Sequence, residues 1–486
     1  MQKKLTKIIA TLGPSSFNEN IIKEMIFLGV DCFRLNMSHG NYNGFAGIIK
    51  LIRKINDEVA IMVDLKGPKI RGKLINCDKF ELKKNDLVKL TNKNQNLIKK
   101  NKVIFVDYID LLKVNINTKI FFSDGIIEGI VIKKDEDFLT LKILNDSVLT
   151  DNKGIVIQGH NLNLPFISKK DYKDILFAIN NNVDFIAASY VRSLDDVLEL
   201  KKIIEDNNSN VGVISKIEHL AGLSEIFRII DNSDAIMVAR GDLGVEISFE
   251  QVPIIQKKII EKCSLLAKPV IIATHILESM VLNLKPTRAE VGDISTLVLD
   301  GADALMLSAE TAIGNYPIEC IKTLINVTKI YEKQTKNIFD NLIYSKEKNI
   351  CNDYFLDKND SLKITHFLTK AAYDASNKLN PAFLIVPTNS GFSARMFSRF
   401  KSKFQIISLT NDIKTLRKLK LSFGVETLFF DSKLFVNFDK FIKEFIKFSL
   451  EKEIIFKNDI IVVLSLNNKE NKNTNYFQIF NAKDYI

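Results

Sequence analysis

Cysteine is scarce in this chain and poorly spaced for chemistry. The five cysteines, Cys32, Cys77, Cys263, Cys320 and Cys351, include no Cys-x-x-Cys pair. A sparse, odd-numbered set argues against a disulfide framework and against structural zinc. No apolar run approaches the length that spans a bilayer. The apolar run behind the basic residues at 1–7 is too short for a secretion signal, so a cytoplasmic location without membrane contact is expected. There is no GxxxxGK[ST] loop and no strand-linked GxGxxG, so a phosphate site here is neither a P-loop nor a dinucleotide fingerprint. Aromatic–basic platforms and recognition-helix patterns are missing too. The formal charge of +10 therefore reads as lysines scattered among Asn and Ile, and no nucleic-acid partner is expected.

What is present describes a globular chain of several domains: 486 residues, 46% hydrophobic and 26% charged. Apolar runs at 7–12, 32–37, 60–65, 184–188, 212–216, 235–239, 270–274 and 304–307 alternate with helical stretches such as 20–28, 194–204 and 252–266. Eight such units predict a (β/α)8 TIM barrel, residues 1–66 and 165–335, with its site at the carboxyl ends of the strands. Residues 67–164 interrupt the rhythm with period-two alternation, at 102–106, 119–122 and 138–143. They predict an inserted small β-barrel domain, hinged at Gly67-Pro68 and Leu164-Pro165 and placed to act as a lid. A Lys-, Asn- and Asp-rich connection at 346–360 leads to a separately cored α/β domain, 345–486.

Polar residues recur where the buried strands end. Ile214-Ser215-Lys216-Ile217-Glu218 puts a lysine and a carboxylate two positions apart, and Ala239-Arg240-Gly241-Asp242 ends the next strand with a second carboxylate. Either acid alone is read more simply as a helix cap. Together they suit a hard divalent cation with positions left for substrate oxygens. Lys216 has the chemistry of a Schiff-base lysine, but beside a metal it fits better as a fixed charge over a transferring phosphoryl group. Arg34 ends the second strand and suits a phosphate or carboxylate, although a structural ion pair would also use it. His39, in the same cluster, is read as a hydrogen-bonding group rather than a general base. Asp64-Leu65-Lys66-Gly67-Pro68-Lys69-Ile70-Arg71 gathers three cations near one acid at the lid hinge, which points to an anionic ligand such as a nucleotide phosphate.

These segments, with 6–16, 273–280, 285–290 and 300–317, follow one another in the order and spacing of the pyruvate kinase family, which the chain resembles strongly to about residue 330 and weakly beyond. The resemblance implies phosphoryl transfer from phosphoenolpyruvate to ADP, the last step of glycolysis, in a tetramer. It implies that Glu218 and Asp242 hold Mg2+, with Mn2+ as a substitute, and that Lys216 steadies the phosphoryl group. Arg34 would bind the substrate phosphate. Gly241, Asp242 and Thr274 would contact the enolpyruvate, with Thr274 near proton delivery. Asn36, Met37, Ser38, His39, Arg71 and Lys170 match nucleotide-side positions, and Asp124 near the lid tip is an additional candidate.

Two departures stand out. Potassium-requiring members carry threonine and glutamate where this chain has Leu65 and Lys69, while Asn36, Ser38 and Asp64 are retained. The ammonium of Lys69 is expected to stand in for K+, which would not be required. In the C-terminal domain Thr388, Asn389, Ser390, Gly391 and Ser393 resemble a loop that grips an effector's phosphate. The stretch 466–474, where the family closes over a sugar bisphosphate, has neither glycine nor arginine. Activation by fructose 1,6-bisphosphate is therefore not expected, and a sugar monophosphate or nucleotide monophosphate stays open as effector. Two other readings compete: a metal-dependent barrel lyase or aldolase acting on a 2-keto acid, and a non-catalytic relative kept for binding or assembly. The first leaves the lid, Arg71 and Lys170 without a purpose; the second leaves every charged position filled for nothing.

Overall fold

The computed structural model describes residues 4–75, 77–93, 102–123, 125–160, 163–333, 360–429, 438–451, 455–465 and 476–485. Asp124, most of the 346–360 connection and the 466–474 stretch lie outside them.

Eight parallel strands close a barrel: Lys7–Thr11, Cys32–Asn36, Ala60–Asp64, Phe185–Ala188, Gly212–Ile217, Ala235–Ala239, Val270–Ala273 and Ala304–Leu307. Each neighbours its successor, and the eighth pairs back on the first with Lys7 opposite Ala304. The third and fourth pair directly, Phe185 opposite Met62, although the whole insert separates them in sequence. Alternate side chains divide the packing. Ile9, Met62, Phe185, Ile214, Met237, Ile271 and Met306 fill the barrel. Ile8, Ile61, Ile186 and Val238 face the outer helices. Because both faces are covered, these strands are apolar throughout rather than alternating, and only their ends can carry polar groups cheaply.

The C-terminal domain covers the amino end of the barrel. Leu421 enters the interior cluster from below. The Phe423 N–H donates to Asp303 Oδ1 at 3.0 Å, and Lys7 Nζ reaches the Val425 carbonyl at 2.6 Å. That leaves the carboxyl end as the open face. The insert leaves from that end and forms its own closed seven-stranded barrel, running from Ile70–Leu74 to Lys153–Ile157, around Val88, Leu90, Ile104, Phe122 and Leu141. Gly67 at the hinge has φ +70°, and a Cβ there would come 2.7 Å from the Ser189 side chain, so only glycine fits.

The C-terminal domain is a five-stranded sheet in the order Val425–Phe429, Ile406–Thr410, Phe383–Pro387, Ile460–Ser465, Tyr476–Asn481, the last strand antiparallel. Apolar clusters lie on both of its faces, giving the separate α/β core expected of it.

Candidate active site

Lys216 and Glu218 lie at the end of the fifth strand and its following turn, almost wholly buried. Lys216 Nζ is 2.9 Å from Glu218 Oε1, 3.1 Å from Asp64 Oδ1 and 2.7 Å from Ser189 Oγ. Burial alone would lower the lysine's pKa, but Asp64 and Glu218 outweigh it and push it up, so the ammonium is permanent. Glu218 caps no helix: its Oε2 accepts the main-chain N–H of Tyr190 at 2.8 Å, from the neighbouring strand end. Burial raises the Glu218 pKa in the substrate-free protein, against the pull of Lys216.

Asp242 sits in the first turn of the short helix Arg240–Glu246, directly after the sixth strand. Its Oδ1 is 2.8 Å from Lys69 Nζ and accepts the Tyr190 phenol at 3.2 Å. Burial would raise its pKa, and Lys69 and Lys216 together hold it down. Asp242 and Glu218 form a hard-oxygen donor set, and an ammonium already rests on each, Lys69 on Asp242 and Lys216 on Glu218. That chemistry fits Mg2+ or Mn2+. No cluster of three or more His, Cys, Asp or Glu able to hold a metal occurs among the described residues.

Arg34 lies at the middle of the second strand, two residues before the end expected of it, and Asp64 ends the third. Arg34 Nε donates to Asp64 Oδ2 at 2.7 Å and its Nη1 to Thr11 Oγ1 at 3.1 Å. Asp64 is buried, which would raise its pKa, yet Lys216 and Arg34 keep it below the usual range. One carboxylate thus carries two cations, one of which, Lys216, it shares with Glu218.

Thr274 follows the seventh strand with φ +67°, and His275 follows it at +54°. A β-branched residue in that region is strained and persists only where its surroundings enforce it. Arg240 does so: its Nη2 donates to the carbonyls of Thr274 (2.8 Å) and His275 (2.9 Å) while Asp293 holds its Nη1 at 2.7 Å. Gly241 N–H donates to Thr274 Oγ1 at 2.9 Å, and a Cβ on Gly241 would meet that oxygen at 3.4 Å.

The nucleotide-side candidates lie along the hinge. Lys170 is in the first turn of helix Lys169–Asn180, where the helix dipole disfavours a cation. It is held there by Asp174 at 2.6 Å and the Met37 carbonyl at 2.8 Å. Arg71 Nη1 reaches the Asn152 carbonyl of the lid at 2.8 Å, and its Nε is buried without a partner. Burial and the neighbouring Arg71 and Lys170 charges lower the Lys66 pKa. Met37 is buried, Ser38 and His39 are exposed, and Asn36 Oδ1 accepts the Ser38 N–H at 3.0 Å. Leu65 buries its side chain in the outer core, and Ser189 Oγ donates to its carbonyl at 2.8 Å.

The effector candidates lie apart from this face, in the C-terminal domain, Thr388 to Gly391 between strand Phe383–Pro387 and helix Phe392–Ser398 and Ser393 in that helix's first turn. Gly391 there has φ +76°, its N–H donates to Thr388 Oγ1 at 2.9 Å, and the Asn389 carbonyl accepts from Thr415 Oγ1 at 2.9 Å.

Three residues at the site have roles that the sequence does not show. Ser189 and Tyr190 follow the fourth strand in ordinary-looking sequence, and Arg240, within a conspicuous motif, acts on a turn 34 residues away. A further neighbourhood lies where the lid meets the barrel, at a small pocket lined by Lys69, Ile155, Tyr190 and Glu246 among others. Burial pushes Glu246 up to about 8 and lowers His219. His219 Nδ1 accepts the Ala221 N–H, so the neutral ring carries its proton on Nε2, 3.7 Å from Glu246 Oε2. Burial favours the neutral form of both groups, so their approach is no salt bridge.

Two family models match the chain: "Pyruvate kinase, barrel domain" over residues 3–321 and "Pyruvate kinase, alpha/beta domain" over 366–480. A pyruvate kinase of Bacillus licheniformis is 35% identical over 99% of this chain and 81% of its own length. One from Clostridium acetobutylicum is 35% identical over 95% and 96%. The crystal structure of a pyruvate kinase from Cryptosporidium parvum superposes with a TM-score of 0.89 at 31% identity, covering 99% of this chain and 96% of that one.

Proposed function

This chain belongs to the pyruvate kinase family, and from that premise we propose that it transfers the phosphoryl group of phosphoenolpyruvate to ADP, giving pyruvate and ATP as the last step of glycolysis. One observation carries the reading most. Lys216 is held between Asp64 and Glu218 with Arg34 on the far side of Asp64 and Asp242 beyond Glu218, all at the open end of the barrel. Such an array has preformed positive charge where a phosphoryl group would sit, and positioning with fixed charge is most of what phosphoryl transfer asks of a protein.

Glu218 and Asp242 would hold Mg2+, which supplies charge neutralisation to the phosphoryl and enolate oxygens. Arg34 binds the substrate phosphate. Lys216 holds its ammonium against the equatorial oxygens as charge develops. Thr274, strained and clamped by Arg240, keeps its hydroxyl beside the enolpyruvate carbon, where a proton must arrive. Lys66, Arg71 and Lys170 receive the nucleotide phosphates as the lid closes and excludes water. In the potassium set, Asp64 carries two cations and Leu65 offers no side-chain oxygen. Lys69 supplies a charge instead, which supports catalysis without K+. The loop 388–393 binds a phosphorylated metabolite, and the working form is a tetramer in the cytoplasm. No described helix is long and apolar enough to cross a membrane.

The test is direct. Purified protein with phosphoenolpyruvate, ADP and Mg2+ should yield pyruvate, followed through lactate dehydrogenase. A protein that instead cleaves or condenses 2-keto acids, or that turns nothing over, would return the question to the lyase or the non-catalytic reading.

A further inference from the structure

The fourth barrel strand, Phe185–Ala188, is followed directly by Ser189-Tyr190. Tyr190 has φ +58°, a left-handed conformation that an aromatic L-residue rarely adopts without being held there. That backbone turn aims its N–H at Glu218 Oε2, 2.8 Å away, while its side chain brings the phenol 3.2 Å from Asp242 Oδ1. One residue therefore touches both carboxylates of the candidate metal pair, which belong to two other strand ends. Its ring is almost fully buried, and a buried phenol needs a hydrogen-bond acceptor. The one it uses is Asp242.

The oxygens of the pair are unequally occupied. Glu218 has Lys216 on Oε1 and Tyr190 on Oε2. Asp242 has both Lys69 and Tyr190 on Oδ1, and among the described residues no donor reaches Oδ2. The two donors on Oδ1 differ in kind. An ammonium repels an incoming divalent cation, whereas a neutral hydroxyl can stay while the cation binds. We propose that Tyr190 is a positioning residue for the divalent cation: its phenol fixes the Asp242 carboxylate with Oδ2 presented to the ion, while its N–H fixes Glu218. This rests on the metal reading of Glu218 and Asp242. The left-handed backbone of Tyr190 is the strain by which one residue reaches both acids, and the phenol is the part of the device that a substitution can remove cleanly.

The experiment is an EPR titration of the substrate-free, full-length protein with Mn2+. Tyr190→Phe keeps the ring, its packing and the N–H, and removes one hydrogen bond. Its melting temperature should stay near the parent's, and its Mn2+ affinity should fall by about tenfold, the usual scale for losing an outer partner of a metal ligand. The apparent Mg2+ requirement in the pyruvate assay should rise in step. A purely packing role moves neither titration, because the ring is retained. Glu218→Gln and Asp242→Asn are titrated alongside. If those two lose Mn2+ binding and Tyr190→Phe keeps the parental curve, the positioning role is overturned and the metal pair stands. If all three bind Mn2+ like the parent, the ion is held elsewhere, and the metal reading falls together with this one.

Discussion

Lys69 Nζ lies 2.8 Å from Asp242 Oδ1, although 173 residues separate them in sequence. The ammonium comes from the lid hinge and the carboxylate from the sixth barrel strand end, so the ion pair ties the lid's attachment to the candidate metal site. Lys69 also lies 5.4 Å from the centre of the Tyr190 ring. Burial would lower its pKa, but Asp242 and Glu218 outweigh it and raise it, so the charge is fixed at any working pH.

That fixed charge makes the monovalent-ion prediction concrete. Activity in a sodium- or Tris-only buffer should nearly equal that in potassium at the same ionic strength. The double substitution Leu65→Thr with Lys69→Glu removes the ammonium and adds oxygen ligands. It should lower turnover and make the loss recoverable by K+. Strong K+ activation of the unmodified protein would mean that Lys69 serves only to hold Asp242.

Lys216 faces two carboxylates in the resting protein, so its removal acts on stability as well as on chemistry. Lys216→Met leaves Asp64 with Arg34 alone and Glu218 with the Tyr190 N–H alone. Protonation can neutralise Glu218, so the fold should survive with a lower melting temperature. The larger loss should be in kcat, at least about a hundredfold or ~3 kcal/mol, because the opposed charge is greatest in the transition state. A Lys216→Met protein with near-parental kcat would remove this residue from the chemistry.

The C-terminal loop offers a different test. Ser390 and Gly391 lie in the turn before the helix Phe392–Ser398 and Ser393 in its first turn, with the Gly391 N–H already given to Thr388 Oγ1. Ser390→Glu puts a negative charge where the proposed phosphate would sit and should abolish activation by any sugar phosphate or nucleotide monophosphate that activates the parent. A panel of such compounds that leaves the parent's substrate curve unmoved would show that the loop binds no effector.

The architecture was legible because a barrel strand buried on both faces has little choice of residue until its end. Polar groups such as Lys216, Glu218 and Asp242 then stand out against Ile214 and Val238. The closed lid was legible from period-two alternation. What could not be read was contact made by the main chain or across long separations. Tyr190 reaches Glu218 through an N–H that every residue but proline carries, and reaches Asp242 from 52 residues away. Arg240, beside a conspicuous Gly-Asp pair, looks like part of that motif, yet its work is to hold the strained carbonyls at 274 and 275. The Leu421 plug was equally hidden, since a leucine in a C-terminal loop says nothing about which core it enters.

Glu246 provides a pH signature of the lid–barrel seam. Its pKa is raised from 4.5 to about 8 by burial, and the neutral His219 beside it cannot compensate a charge. In the unfolded chain the carboxyl ionises near its ordinary value; in the folded protein it stays protonated until about pH 8. Between those limits the native state binds the extra proton, so stability must fall as pH rises through the window. The contribution is fully present below the unfolded value and lost once the folded group ionises. Its size is on the order of 2–5 kcal/mol, since a one-proton difference between the two states is worth ~1.4 kcal/mol for every pH step of one across the window. Glu246→Gln keeps the shape and removes the titration. Melting temperatures of parent and variant, followed from about pH 5 to about pH 9 at constant ionic strength, should diverge up to about pH 8, the parent losing ground to the variant, and run parallel beyond it. Parallel curves across that range would show that Glu246 is already ionised in the folded protein, with water reaching it through the cavity beside Lys69 and Tyr190.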